Sequence, residues 1–123
     1  MPSVLVVDDE ADIRFVVCRM IERMEGDSLV VHEASSGEEA IERWRALRPD
    51  VIVLDQRMPG LSGLETAARI LAEHPGQRMI LFTAYRDDFE DEAGLTADIA
   101  RLSKSQLNRL PAELRALLNG HGG

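Results

Sequence analysis

Asp8 and Asp9 follow the apolar run Val4 to Val7, Asp55 follows Val51 to Leu54, Thr83 follows Met79 to Phe82, and Lys104 comes just after Ile99 to Leu102. Polar groups with chemistry in them therefore end successive apolar runs. Three acids at one rim repel one another and are tolerable only beside compensating positive charge, which a hard divalent cation supplies. Magnesium fits such a donor set, taking a few carboxylate oxygens with water and a phosphoryl oxygen in near-octahedral geometry. Manganese is the alternative ion, with the same taste for oxygen.

The elements that must bring these groups together are legible in the spacing of apolar residues. Short, continuous aliphatic runs such as Val4 to Val7 and Val51 to Leu54 read as strands buried on both faces of a parallel sheet. Leu29 to His32, Met79 to Phe82 and Ile99 to Leu102 supply three further strands. From Ala11 to Glu25, the residues Ile13, Val16, Val17, Met20, Ile21 and Met24 recur at helical spacing until Gly26 stops the pattern, so one amphipathic helix is expected. Ser36 is expected to cap a second helix with Glu39 as its capping-box partner and Ala40, Ile41, Trp44 and Leu47 as its buried stripe. Leu64, Ala67, Ala68 and Leu71 mark a third helix beyond the turn Met58-Pro59-Gly60. Arg86 to Leu95 is the faintest helical segment. The last helix begins near Asn108 or at Pro111 and turns Leu114, Leu117 and Leu118 inward, with Ser105 to Leu110 irregular. Strands alternating with helices imply a doubly wound α/β fold in three layers, a five-stranded parallel sheet with helices on both faces. Ligands of such sheets bind beyond the carboxyl ends of the strands, where the polar residues stand.

Composition narrows the function classes. A chain of 123 residues holds one domain, with the regular core expected over about 3–119 and no separate output domain. Its formal charge of −8, from 14 Lys and Arg against 22 Asp and Glu, argues against direct binding to nucleic acid or an anionic membrane. Cys18 is the single cysteine, so neither an internal disulfide nor a Cys-rich metal site is expected. No secretory leader pattern or membrane-length apolar run is present, and a cytoplasmic protein is the expectation.

Val-Leu-Val-Val-Asp-Asp-Glu at residues 4–10, Asp55-x-x-Met58-Pro59-Gly60-x-x-Gly63, Thr83-Ala84 and Lys104 together resemble the receiver domain of two-component response regulators, over nearly the whole chain. That resemblance implies the strand order 2-1-3-4-5 of flavodoxin-like folds and Asp55 as phosphoacceptor. It implies Asp8, Asp9 and Asp55 as magnesium ligands, with Arg57 contributing its backbone carbonyl, and Thr83 and Lys104 as phosphoryl contacts. Each role has an independent physical reason. A carboxylate can serve as an acyl-phosphate-forming nucleophile. Lys104 is a mobile point charge able to pair with a carboxylate at rest and a phosphoryl oxygen afterwards. The Thr83 hydroxyl can donate to a phosphoryl oxygen and draw its strand end inward, which would be the switch. The implied partners are a histidine kinase or phosphotransfer protein upstream, a target protein or fused effector domain downstream, and a second copy through the face of the fourth and fifth strands.

Two positions depart from the family pattern. Arg101 stands where an aromatic residue usually precedes the lysine by three, and Ser105 stands where proline usually follows it. An arginine cannot bury in an apolar slot without a partner, so Arg101 is expected to reach outward, toward acids of a partner or of the chain itself. These departures keep a second reading open, a degenerate receiver acting as a phosphorylation-independent interaction module. An aspartate-nucleophile phosphatase is disfavoured because Arg57 occupies the place of its second acid, and a flavin carrier because Asp8, Asp9 and Glu10 would repel the flavin phosphate. The acids Asp87, Asp88, Glu90, Asp91 and Glu92 read as a solvated helix face, Cys18 and Trp44 as packing residues, and His32, His74 and His121 as unrelated to any metal site.

Overall fold

The computed structural model describes residues 2–24, 28–84 and 99–119. Val4 to Val7 of β1 (Ser3–Val7) and all of β3 (Val51–Leu54) are buried, as expected of central strands covered on both faces. Around them lie α1 (Ala11–Glu22), β2 (Val30–Ala34), α2 (Gly37–Leu47), α3 (Gly63–Glu73), β4 (Arg78–Thr83), β5 (Ala100–Ser103), a 3-10 helix (Lys104–Arg109) and α4 (Leu110–Leu118). The strands form one five-stranded sheet in the order β2-β1-β3-β4-β5, every pair parallel. This is the expected order.

Alternation along each strand splits the apolar residues between two cores. Val4, Val6, Val51, Val53, Ile80, Phe82 and Leu102 pack with Val17 and Ile21 of α1 and Leu110 and Leu114 of α4. Leu5, Val7, Ile52, Leu54, Met79 and Leu81 pack instead with Ala40, Ile41 and Trp44 of α2 and Ala67 and Ile70 of α3. Helices on both faces of the sheet make the three layers. Each buried aliphatic side chain contributes roughly 1.5–3 kcal/mol over leaving it in water. Trp44, with no exposed surface, donates its indole N–H to Gln77 Oε1 at 2.9 Å, so its one polar atom is satisfied inside the second core.

Several boundaries differ from the sequence expectation for local reasons. The first helix stops at Glu22 rather than Glu25, because the Arg23 backbone (φ −93°, ψ 5°) leaves the helical range while its N–H closes the last turn. Val16, expected on the buried stripe, is 46% exposed because Val17, Cys18 and Ile21 define the inward face. The second strand runs Val30–Ala34, drawn along by its register with β1 from Ser3↔Val30 to Val7↔Ala34. Leu47 is 37% exposed at the last turn of α2, and Arg48 then ends that helix in the left-handed region (φ 47°). Ser36 Oγ accepts the Glu39 N–H as expected, but the Glu39 carboxylate turns to the N–H of Ser35 at 2.6 Å instead of that of Ser36. The segment expected to be irregular, Ser105 to Leu110, lies mostly in the 3-10 helix, and α4 follows with Pro111 in its first turn, where a missing N–H costs nothing. The expected helix Arg86 to Leu95 lies outside the described residues.

Candidate functional site

Parallel pairing in register fixes where the polar residues emerge. Val7 pairs with Leu54 across β1 and β3, so Asp8 and Asp55 come next on adjacent strands. Asp55 N–H donates to Val7 O at 3.0 Å and Asp8 N–H to Ala34 O at 3.2 Å, which carries the ladder one step past the strand ends. Thr83 pairs with Ser103 across β4 and β5, and Lys104 follows. Asp8, Asp55 and Thr83 are buried (3%, 5% and 0% exposed), whereas Asp9 faces solvent.

Lys104 crosses this edge and ties it together. Its Nζ lies 2.8 Å from Asp8 Oδ2 and 3.4 Å from Asp55 Oδ1. Carboxylate oxygens of Asp8, Asp9 and Asp55 lie within 4.8 Å of one another, and the group is the kind of cluster that can hold a metal ion. When all are ionised, three carboxylates and one ammonium leave two net negative charges. That excess and the all-oxygen donor set fit a small divalent cation such as magnesium. Burial, reinforced by the neighbouring charge of Asp8, pushes the Asp55 carboxyl up to about 6, against the pull of Lys104 and of the Gln56 N–H. Burial by itself would lower Lys104, but its hydrogen bond to Asp8 and the charges of Asp55 and Asp8 outweigh it and hold the amine above its ordinary range.

The loops around the acids are braced in part by Arg14 and Gln56, which carried no site signal in the sequence. Arg14 donates from Nη1 to the carbonyl of Asp8 at 2.7 Å and from Nε to Glu33 at 3.0 Å, pinning the turn between β1 and α1 to β2. Glu10 N–H donates to Asp8 Oδ1 at 2.9 Å. Gln56 works through three groups: its N–H donates to Asp55 Oδ1 at 2.9 Å, its carbonyl accepts from Gly63 at 2.9 Å, and its Oε1 accepts from Leu64 at 2.7 Å. Gly63 is needed for that closure, since a Cβ there would stand 2.2 Å from the Asp55 carbonyl oxygen. Gly60 turns the same loop with φ +81°.

Of the remaining expected site residues, Arg57 is exposed two residues beyond Asp55. Arg101 is half-buried and donates from Nη1 to Ile99 O at 3.0 Å. Ser105 is exposed and follows Lys104 through a trans peptide; its N–H donates to Ser103 Oγ at 3.2 Å, and the two hydroxyls lie 2.8 Å apart. Ser103 and Gln106 complete a capping box at the start of the 3-10 helix. That pattern, Ser-x-x-Gln, was the available signal for them. The acids from Asp87 to Glu92 lie outside the described residues. Burial pushes the Cys18 thiol up to about 12, consistent with a packing role.

A half-buried lysine, Lys104, bridges Asp8 and Asp55 at the carboxyl edge of a parallel sheet in the order 2-1-3-4-5. The chain belongs to the response regulator receiver domain family, whose model matches residues 4–115. Receivers are signalling domains of two-component systems and bind magnesium through acidic residues. The chain is 40% identical over 88 residues to the response regulator GacA of Pseudomonas viridiflava, covering 72% of this chain and 41% of that protein. It thus spans about two-fifths of the length of the curated relative. Its structure is similar to that of the response regulator TrrA of Thermotoga maritima, solved in complex with Mg(2+)-BeF, with TM-score 0.85, 33% identity, and coverage of 96% of this chain and 100% of that one. TrrA in complex with the histidine kinase ThkA gives TM-score 0.79 at 32% identity, covering 96% and 99%. Among the described residues no helix is long and apolar enough to cross a membrane.

Proposed function

We propose that this domain accepts a phosphoryl group on Asp55 from a phosphohistidine of a histidine kinase or phosphotransfer protein, and passes the change to a partner. The observation that carries this reading is Lys104 Nζ held between Asp8 Oδ2 and Asp55 Oδ1 (2.8 and 3.4 Å) beside the three-acid cluster. Asp8, Asp9 and Asp55, with the backbone carbonyl of Arg57, would hold the metal ion. Bound there, magnesium, or manganese in its place, supplies charge neutralisation of the phosphoryl oxygens and geometric order for in-line transfer.

The chain's own residues do the rest. An Asp55 carboxylate oxygen forms the bond to phosphorus as the phosphorus–nitrogen bond of the phosphohistidine breaks, and the departing imidazole keeps the electron pair. Asp55 attacks in its ionised form, which in the metal-free domain predominates above a pH of about 6. Lys104 exchanges its contact with Asp55 for one with a phosphoryl oxygen, and the Thr83 hydroxyl donates to another. Thr83 is buried at the end of β4, so its movement would shift that strand end and the β5 edge paired to it. Arg101 and Ser105 replace the family's usual relay residues on that edge, and output runs through Arg101. Arg101→Ala should weaken partner binding or uncouple it from phosphorylation; unchanged binding and unchanged phosphorylation dependence would contradict that role.

The phosphoacceptor assignment is tested by labelling with acetyl phosphate. Wild type should take up label only with magnesium, and Asp55→Asn should not. A wild type that never labels would instead favour a phosphorylation-independent interaction module.

A further inference from the structure

We propose that Ser103, supported by Gln106, is a positioning residue that sets Lys104 for phosphoryl transfer. The inference rests on the reading of Lys104 as a phosphoryl contact. Lysine has a flexible four-carbon stem, so where its Nζ arrives depends on where its backbone is anchored. The residues on either side of Lys104 are tied to each other across it. Ser103 Oγ accepts the Ser105 N–H at 3.2 Å and lies 2.8 Å from Ser105 Oγ, while Gln106 Oε1 accepts the Ser103 N–H at 3.3 Å. Lys104 is the first residue of the 3-10 helix that this box opens, and from there its Nζ spans Asp8 and Asp55 at 2.8 and 3.4 Å.

The box matters at this place because Ser105 carries an N–H. A proline at 105 would have no donor and would fix its own φ. With serine there, the first donors of the 3-10 helix need an acceptor, and Ser103 provides one. Ser103 also pairs in register with Thr83 across β4 and β5, so the anchor is part of the sheet beside the buried hydroxyl. The anchor therefore holds the backbone origin of the lysine against the same strand end that carries Thr83. A cap that only stabilised the fold would not affect the transfer rate of the folded protein.

Rates of acetyl phosphate labelling at saturating magnesium, for protein confirmed folded by circular dichroism, test this in Ser103→Ala, Ser103→Thr, Lys104→Ala and the Lys104→Ala/Ser103→Ala double variant. Losing one or two such hydrogen bonds should slow labelling by Ser103→Ala about three- to tenfold. Ser103→Thr should restore it, magnesium affinity by calorimetry should be unchanged, and Ser103→Ala should add nothing in the Lys104→Ala background. A fast Ser103→Ala beside a slow Lys104→Ala would overturn the proposal alone, as would a Ser103→Ala effect that persists undiminished without Lys104. A fast Lys104→Ala would overturn the assignment of Lys104 itself and the proposal with it.

Discussion

At the scale of single residues, Asp55 is in tension with its fold. Its carboxyl is pushed up to about 6, chiefly by burial and then by Asp8, whereas an unfolded chain releases the same proton near ~3.9. Between those values the native state holds a proton that the unfolded state has lost, so the contribution of this carboxyl to stability falls as pH rises from about 4 to about 6 and is then level. The size is on the order of 2–3 kcal/mol, from ~1.4 kcal/mol per pH unit. Urea unfolding of the magnesium-free proteins should show wild type losing stability relative to Asp55→Asn over this range, leaving Asp55→Asn the more stable at pH 7. A difference between the two that is independent of pH would contradict the burial argument. Magnesium selects the ionised acids, so at pH 7 it should stabilise wild type more than Asp55→Asn, by mass action on the native state.

At the scale of elements, the loop from Asp55 to α3 is a closed unit. Ser62 and Glu65 form a full capping box at its far end (3.1 and 2.9 Å), Gln56 ties its near end to Leu64, and Gly63 lets the two ends meet. Ser62→Ala should cost about 1 kcal/mol in urea unfolding and leave labelling nearly unchanged. Gly63→Ala should cost about 2 kcal/mol or more and slow labelling as well, because its Cβ would displace the Asp55 carbonyl. Equal effects of the two on labelling would contradict the closed-loop picture. The strands carrying the acids were legible in Val4 to Val7 and Val51 to Leu54, since continuous aliphatic runs have few other uses. Helix edges were less so: periodicity marked Val16 and Leu47 as inward, but which flank of a stripe meets the sheet is set by tertiary packing. Ser103-x-x-Gln106 and Ser62-x-x-Glu65 could have been read from spacing alone. The three-way use of Gln56 could not, because it depends on how closely the loop returns.

At the scale of the whole molecule, two cores on opposite faces of one sheet should lose structure together. Trp44 is the only tryptophan and lies in the α2 and α3 core, so its fluorescence reports that side, while circular dichroism reports the whole. The two transitions should coincide in urea, and Trp44→Ala should cost about 3–5 kcal/mol. Separate transitions would mean that the cores are not one cooperative unit. The meeting of Asp8, Asp55 and Lys104, with Thr83 at the same edge of the sheet, followed from the strand sequence once the sheet was taken as parallel, because every carboxyl end then faces the same way. The Lys104 bridge between Asp8 and Asp55 was expected in kind, but its distances come only from the folded chain. The most direct test of the central claim is to label the domain with acetyl phosphate and magnesium, trap the acyl phosphate by borohydride reduction, and map the modified peptide by mass spectrometry. Reduction at Asp55, absent when magnesium is chelated, is the predicted result; modification at another residue, or none in folded magnesium-loaded protein, would contradict it.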